Sequence, residues 1–67
     1  MKVTANGREF EIEAGTTISS FIRQRELDPR YVVVERNGEP VDRARFGELA
    51  LADGDRLELV RAVAGGS

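Results

Sequence analysis

Two Asn-Gly dipeptides constrain the fold of this chain more than any other feature of its sequence. Asn6-Gly7 and Asn37-Gly38 each separate short segments that are rich in β-branched residues or alternate between apolar and polar side chains. Asn-Gly is the preferred pair in a two-residue hairpin turn, because a type I′ turn needs positive φ at both central residues. The sequence therefore predicts a hairpin that joins strands at residues 2–5 and 8–13. A second tight turn is predicted between a strand at residues 31–36 and an edge segment at residues 39–41.

One amphipathic helix is predicted between these two turns, over residues 18–26. Its apolar stripe, spaced at i, i+3 and i+4, consists of Ile18, Phe21 and Ile22. Thr16 or Thr17 can cap its first amide groups. Asp28-Pro29 is expected to end the helix, because proline disfavours an α conformation in the residue before it.

The rest of the chain predicts a turn or short helix at residues 42–48, a short strand near Leu49 and Leu51, and a last strand at residues 56–62. This order of elements favours an α+β domain in which one helix packs on one face of a four- or five-stranded mixed sheet. The expected core consists of Val3, Ala5, Phe10, Ile12, Ile18, Phe21, Ile22, Leu27, Val32, Val34, Val41, Phe46, Leu49, Leu51, Leu57 and Leu59.

Length and composition limit the chemistry that the chain can perform. The 67 residues suffice for one domain, predicted over residues 1–62, with a flexible C-terminal tail at residues 63–67. The sequence contains neither cysteine nor histidine, so thiol and histidine catalysis and the metal sites built from these residues are excluded within the chain. No catalytic residue, metal site or cofactor is therefore expected.

Charge and hydropathy bear on location and on binding partners. The net charge of −2 is mixed in sign and gives no basic surface for nucleic acid. The longest apolar run, residues 31–34, is far too short to span a membrane, and the N-terminal segment lacks an apolar signal core. The sequence therefore favours the cytoplasm, with no partner among nucleic acids or membranes.

Four segments together resemble a known family: residues 14–18 at the start of the helix, residues 32–41, residues 51–60, and the Val63-Ala64-Gly65-Gly66 segment that follows. The resemblance covers essentially the whole chain and is to the ThiS family of ubiquitin-like sulfur carriers. It implies a ubiquitin-like β-grasp fold. It also implies that the chain is not an enzyme but a protein substrate, whose reacting group is the carboxylate of Gly66 with Gly65 beside it.

Three partners are implied by the same resemblance. A ThiF-like enzyme adenylates the terminal glycine with ATP, a cysteine desulfurase is the indirect source of the sulfur, and a ThiG-like thiazole synthase receives it from the thiocarboxylate. The physical properties of the tail agree with this, since glycine lacks a Cβ and fits a narrow enzyme site. Carrier function further implies a protein that is monomeric when free.

Ser67 departs from the family pattern, in which the activated glycine is the last residue. Three explanations stay open: Ser67 was added by cloning, it is a deliberate block, or it is native and removed by a protease. Alternative functions also stay open. They are sulfur transfer for molybdopterin, tRNA thiolation, cysteine or a natural product, and a ubiquitin-like modifier or interaction module.

A partner-docking surface is expected on the face of the sheet that the helix leaves open. Val33 is out of phase with the inward-facing Val32 and Val34, and Val60 is out of phase with its neighbouring leucines, so both valines are predicted on that open face. The predicted docking residues are Val33, Val60, Arg61 and Val63.

Overall fold

Five strands form one mixed sheet in the computed structural model, which describes residues 1–62. The strands are β1 (Lys2–Ala5), β2 (Arg8–Glu11), β3 (Val32–Arg36), β4 (Glu39–Pro40) and β5 (Arg56–Arg61). Their order in the sheet is β2-β1-β5-β3-β4. The central β5 runs parallel to β1, whereas the other neighbouring pairs are antiparallel.

Both predicted Asn-Gly turns are confirmed. Asn6 and Gly7 have φ values of 51° and 82°, and Asn37 and Gly38 have values of 52° and 86°. Positive φ at both central positions is the signature of the type I′ turn, whose twist matches that of the flanking strands. The two turns connect the strands of the β1–β2 and β3–β4 hairpins.

Residues 1–62 contain one α-helix, α1 (Ile18–Gln24), which packs on one face of the sheet. Thr17 is its N-cap, and the Thr17 hydroxyl accepts a hydrogen bond from the Ser20 amide at 3.1 Å. The helix is two residues shorter than predicted, because the chain turns into the left-handed region at Glu26, with φ 63°. Short 3₁₀ helices at Pro29–Tyr31 and Arg43–Arg45 complete the fold.

The core lies between α1 and the inner face of the sheet. Its buried residues are Val3, Ala5, Ile12, Ile18, Phe21, Ile22, Val32, Val34, Phe46, Leu51 and Leu57. Partly buried against them are Met1, Phe10, Leu27, Val41, Leu49 and Leu59. Every residue of the predicted core therefore belongs to it, and Met1 is an addition. The Phe10 and Phe21 rings meet edge to face at 5.5 Å, with the Arg25 guanidinium 4.3 Å from the centre of the Phe10 ring.

The predicted strand near Leu49 and Leu51 is wrong, since this segment forms only an isolated bridge between Thr17 and Ala50. Its backbone instead serves the start of α1. The Ile18 amide donates to the Leu49 carbonyl at 3.1 Å, and the Leu51 amide donates to the Thr16 carbonyl at 2.8 Å. The loop thereby satisfies an amide that the first turn of a helix leaves without an intrahelical partner.

Smaller differences concern the ends of strands. β2 ends at Glu11 rather than Glu13, since the Thr16 amide and hydroxyl both donate to the Glu13 carbonyl and turn the chain towards α1. β5 ends at Arg61. One helix on a five-stranded mixed sheet in this order is the ubiquitin-like β-grasp fold, as predicted.

Candidate functional site

The C-terminal end of β5 is the place where the body of the domain passes into the tail. The Ala62 amide donates to the Tyr31 carbonyl at 2.7 Å, which extends the β3–β5 ladder to the last described residue. The predicted Val63, Gly65 and Gly66 lie outside the described residues. Of the candidate site, the structure therefore describes the surface around the end of β5.

An exposed apolar patch lies beside this end of β5. Val33 and Val60 are directly opposite each other in the antiparallel β3–β5 pair. They are 49% and 59% exposed, while Val32 and Val34 on the inner face are both 1% exposed. Tyr31, the residue before β3, is 42% exposed and lies at the same end of the strand pair. Every exposed large hydrophobic residue in the described part of the chain thus belongs to this end of β3 and β5.

Arg61 takes a different position from the two valines. It is opposite the inward-facing Val32, and strand alternation places its side chain on the opposite side of the sheet from Val60. There it lines a depression of about 350 Å³ together with Leu27, Asp28 and other residues that follow α1. The structure therefore brings Val33 and Val60 together but separates Arg61 from them.

Asp28 and Arg30 form an ion pair beside that depression. The Arg30 guanidinium is 2.8 Å from a carboxylate oxygen of Asp28, and the Arg30 amide also donates to this carboxylate. These hydrogen bonds lower the pKa of Asp28 to about 2. The carboxylate caps the 3₁₀ helix Pro29–Tyr31, so it fixes the chain that leads into β3.

A buried polar network around Asp55 supports the same sheet at its other end. The Asp55 carboxylate is 2.8 Å from the Arg36 guanidinium and accepts hydrogen bonds from the Ala52 amide and the Asn37 side chain. The Asn37 side chain also accepts from the Arg56 amide, so it ties its turn to β5. Burial on its own would raise the pKa of Asp55, but these hydrogen bonds and the Arg36 charge outweigh it and lower the pKa.

The sequence analysis does not predict this network, because the composition of Asp53-Gly54-Asp55 is typical of a turn alone. The aspartate that follows Gly54 is the signal that was available, because a carboxylate next to a strand start can accept from several backbone amides. Arg36 takes part in this network through its ion pair with Asp55.

Two further findings on residues 1–62 concern metal binding and membrane crossing. Within residues 1–62, no group of three or more histidine, cysteine, aspartate or glutamate side chains is arranged to hold a metal ion. No helix of that part of the chain is long and apolar enough to cross a membrane. The part of the candidate site that the structure describes is the exposed Val33–Val60 pair near the end of β5.

Fold and site together define a small ubiquitin-like β-grasp domain that presents an apolar patch next to its C-terminal segment. The sequence model of the ThiS family matches residues 1–66. The chain belongs to the ThiS family.

Curated relatives agree with this assignment. Residues of this chain are 36% identical over 62 positions to the sulfur carrier protein ThiS of Bacillus subtilis, covering 91% of this chain and 94% of the relative. A thiazole synthase of Paramagnetospirillum magneticum is 39% identical over 67 residues, and one of Magnetococcus marinus is 36% identical over 66 residues. The chain spans only about a fifth of the length of these two synthases, 21% and 20%, while the alignments cover 100% and 98% of this chain.

The fold has a solved counterpart in the same family. The crystal structure of the thiamine biosynthesis protein ThiS from Geobacter metallireducens superimposes with a TM-score of 0.78 at 28% sequence identity. The match covers 98% of this chain and 100% of that protein.

Proposed function

We propose that this protein is a sulfur carrier for the assembly of the thiazole ring of thiamine, and that the carboxylate of Gly66 carries the sulfur. An adenylating enzyme joins this carboxylate to the α-phosphate of ATP and releases pyrophosphate. Persulfide sulfur from a cysteine desulfurase then displaces AMP, and reduction of the resulting acyl disulfide by a thiol leaves the thiocarboxylate. A thiazole synthase accepts that sulfur.

The observation that carries this proposal is the extent of the family match. It runs through both glycines and ends at Gly66, one residue before Ser67. The alignment with the carrier of Bacillus subtilis over 94% of that protein supports the same function. On this proposal, the chain accepts sulfur only once Gly66 is its last residue.

The amino-acid composition indicates which steps the partner enzymes must catalyse. The chain has no cysteine or histidine, so the groups that activate the carboxylate and deliver sulfur must belong to the partner enzymes. This chain supplies a small body that those enzymes hold and a C-terminal segment without bulky side chains after Val63. The two thiazole synthases that match it support an acceptor of that class. We place the reaction in the cytoplasm, with a carrier that is monomeric when free.

The test compares two chains that differ at the C-terminus, one ending at Gly66 and one retaining Ser67. Each is incubated with ATP, cysteine, a thiol reductant, a cysteine desulfurase and the adenylating enzyme encoded in the same genome, and its intact mass is then measured. We expect the chain ending at Gly66, and not the chain with Ser67, to gain the mass difference between sulfur and oxygen. Failure of the shorter chain to react, or thiocarboxylate formation on the chain that retains Ser67, would contradict the proposal.

A further inference from the structure

The two Asn-Gly turns share a contact that a hairpin alone does not require. In each turn the asparagine side chain reaches across to the segment of β5. The Asn6 side chain donates to the Leu59 carbonyl at 3.1 Å and accepts from the Leu59 amide at 2.8 Å. The Asn37 side chain accepts from the Arg56 amide at 3.0 Å and donates to the Asp55 carboxylate at 3.1 Å. Both hairpins are therefore tied to this central segment by an asparagine side chain.

Asparagine is a thermolabile residue, and asparagine followed by glycine is a reactive pair. The glycine nitrogen attacks the asparagine Cγ and closes a succinimide ring. The Cγ–Nδ2 bond breaks, and the proton lost by the glycine nitrogen leaves with Nδ2 as ammonia. Water then opens the ring at either carbonyl and gives aspartate or isoaspartate. Gly7 and Gly38 favour this attack, because both are exposed and have open space where a Cβ would hinder it.

The side-chain hydrogen bonds oppose this reaction in the folded domain. Attack requires the asparagine side chain to turn back over its own peptide bond, which it cannot do while both of its polar atoms are bound elsewhere. The bond from Asn37 to Asp55 is the strongest of these restraints, because a hydrogen bond to a charged acceptor contributes more than one to a neutral acceptor. Asp55 is held in turn by the Arg36 guanidinium and the Ala52 amide, both at 2.8 Å.

The two turns differ in what the new carboxylate would face after the reaction. At Asn6, the oxygen that replaces Nδ2 faces the neutral carbonyl of Leu59. At Asn37, it faces the Asp55 carboxylate, which Nδ2 contacts at 3.1 Å. Two carboxylates this close repel each other while both are ionised. The same reaction therefore costs more stability at Asn37 than at Asn6.

We propose that Asn37 is a site of spontaneous modification. Asp55 restrains its deamidation, and the charge of the aspartate or isoaspartate that forms loosens the β3–β4 hairpin from the start of β5. The modification depends on the chemistry of this chain and of water, so it is independent of the proposed function.

The first test follows the reaction at both asparagines of one chain, with Asn6 as the internal reference. Wild type and Asp55→Ala are incubated at neutral pH with and without urea, and peptide mapping by mass spectrometry quantifies aspartate and isoaspartate at each position over time. The rate at each position is divided by its rate in urea, which removes the effect of the neighbouring sequence.

We expect both asparagines to react more slowly in the folded wild type than in urea. Asp55→Ala should accelerate the reaction of Asn37 relative to Asn6 by about 10-fold, which corresponds to the loss of one hydrogen bond to a charged acceptor. An Asn37 that reacts equally fast with and without urea, or that does not react in urea, would overturn the proposal. Equal acceleration at both positions, in an Asp55→Ala chain that circular dichroism shows to be folded, would also overturn it.

The second test does not need Asp55→Ala to fold. Asn37→Asp reproduces one product of the reaction and keeps the turn, since Asp-Gly also suits type I′. Asn6→Asp is the matched control, because it makes the same change at the equivalent position of the other turn. At neutral pH, the urea midpoint of Asn37→Asp should lie below that of Asn6→Asp. This gap should close as the pH falls through about 4, where carboxyl groups take up protons. Equal midpoints at neutral pH would contradict the proposed effect of the new charge on Asp55.

Discussion

At the scale of single residues, Asp55 shows how a small domain uses a buried charge. Asp55 is only 6% exposed, yet its carboxylate contacts the Arg36 side chain, the Ala52 backbone and the Asn37 side chain. Burying a carboxylate costs free energy unless several donors compensate, and here each contact comes from a different part of the chain. The network therefore fixes how the β3–β4 hairpin meets the start of β5.

The lowered pKa of Asp55 makes its contribution to stability depend on pH. A carboxyl with a lower pKa in the folded state stabilises the fold above its unfolded pKa, about 4, and this stabilisation is lost as pH falls through the folded pKa. We expect Asp55→Asn to lower the free energy of unfolding by about 1–2 kcal/mol at pH 7. Urea denaturation of both proteins should show this difference narrowing as the pH is lowered from 5 towards about 2.

Asp53→Asn is the matched control for that prediction, since Asp53 belongs to the same turn but is exposed and accepts one backbone hydrogen bond, from Lys2. Its effect at pH 7 should be smaller than that of Asp55→Asn. The low pKa of Asp28 affects the wild type and the Asp55 variant alike, so it cancels in their difference. A difference between wild type and Asp55→Asn that stays constant over this pH range would contradict the assignment.

At the scale of elements, the N-cap Thr17 is important for α1 because the helix is short. A helix of 7 residues has few intrahelical hydrogen bonds, so each hydrogen bond to an amide of its first turn matters for its stability. We expect Thr17→Ala to remove the bond to the Ser20 amide and destabilise the domain by about 1 kcal/mol. For a domain of this size that lowers the melting temperature by about 4–8 °C.

Thr17→Ser provides the comparison, because serine keeps the hydroxyl that accepts from Ser20 and is at least as good an N-cap as threonine. Calorimetry of both variants should place Thr17→Ser close to the wild type. Equal losses in the two variants would mean that the threonine methyl group, rather than the cap, stabilises this end of the helix.

Elements governed by local chemistry could be predicted from the sequence, and those governed by distant contacts could not. The Asn-Gly turns and the stripe of Ile18, Phe21 and Ile22 depend on neighbouring residues, so their predictions are confirmed. The end of α1 depends on Glu26 adopting a positive φ that glycine usually takes, and nothing in the sequence marks it. The segment around Leu49 was predicted as a strand because its apolar pattern fits one, but its carbonyl is used by α1.

The same distinction applies to the candidate site. Counting alternate residues along a strand places Val33 and Val60 on the outer face, and it would also have placed Arg61 on the inner face. The pairing of Val33 with Val60 depends on the register between β3 and β5, which are separated along the chain by β4 and a long loop. Register between strands that are not consecutive is set by the packed core, and the sequence alone does not specify it.

At the scale of the whole molecule, the residues that stabilise the fold are separate from those proposed to act in sulfur transfer. The helix and the inner face of the sheet contain the core, while Val33 and Val60 are exposed on the outer face near the end of β5. The outer face of the sheet carries Glu9, Glu11, Glu35 and Glu58 against Lys2 and Arg56. The charges of these residues therefore sum to −2, which equals the net charge of the whole chain.

This separation predicts that the tail is dispensable for folding and required for the proposed chemistry. Every residue of the described core precedes Ala62, and the Ala62 amide makes the last backbone bond of the ladder. Removal of residues 63–67 should therefore change the melting temperature by no more than about 2 °C, since about 1 kcal/mol would shift it by 4–8 °C. Adenylation should be abolished, because the truncation removes the carboxylate of Gly66 that is proposed to react. Thermal unfolding that shifts well beyond this range would mean that the tail packs on the body, and would place the domain boundary after residue 62.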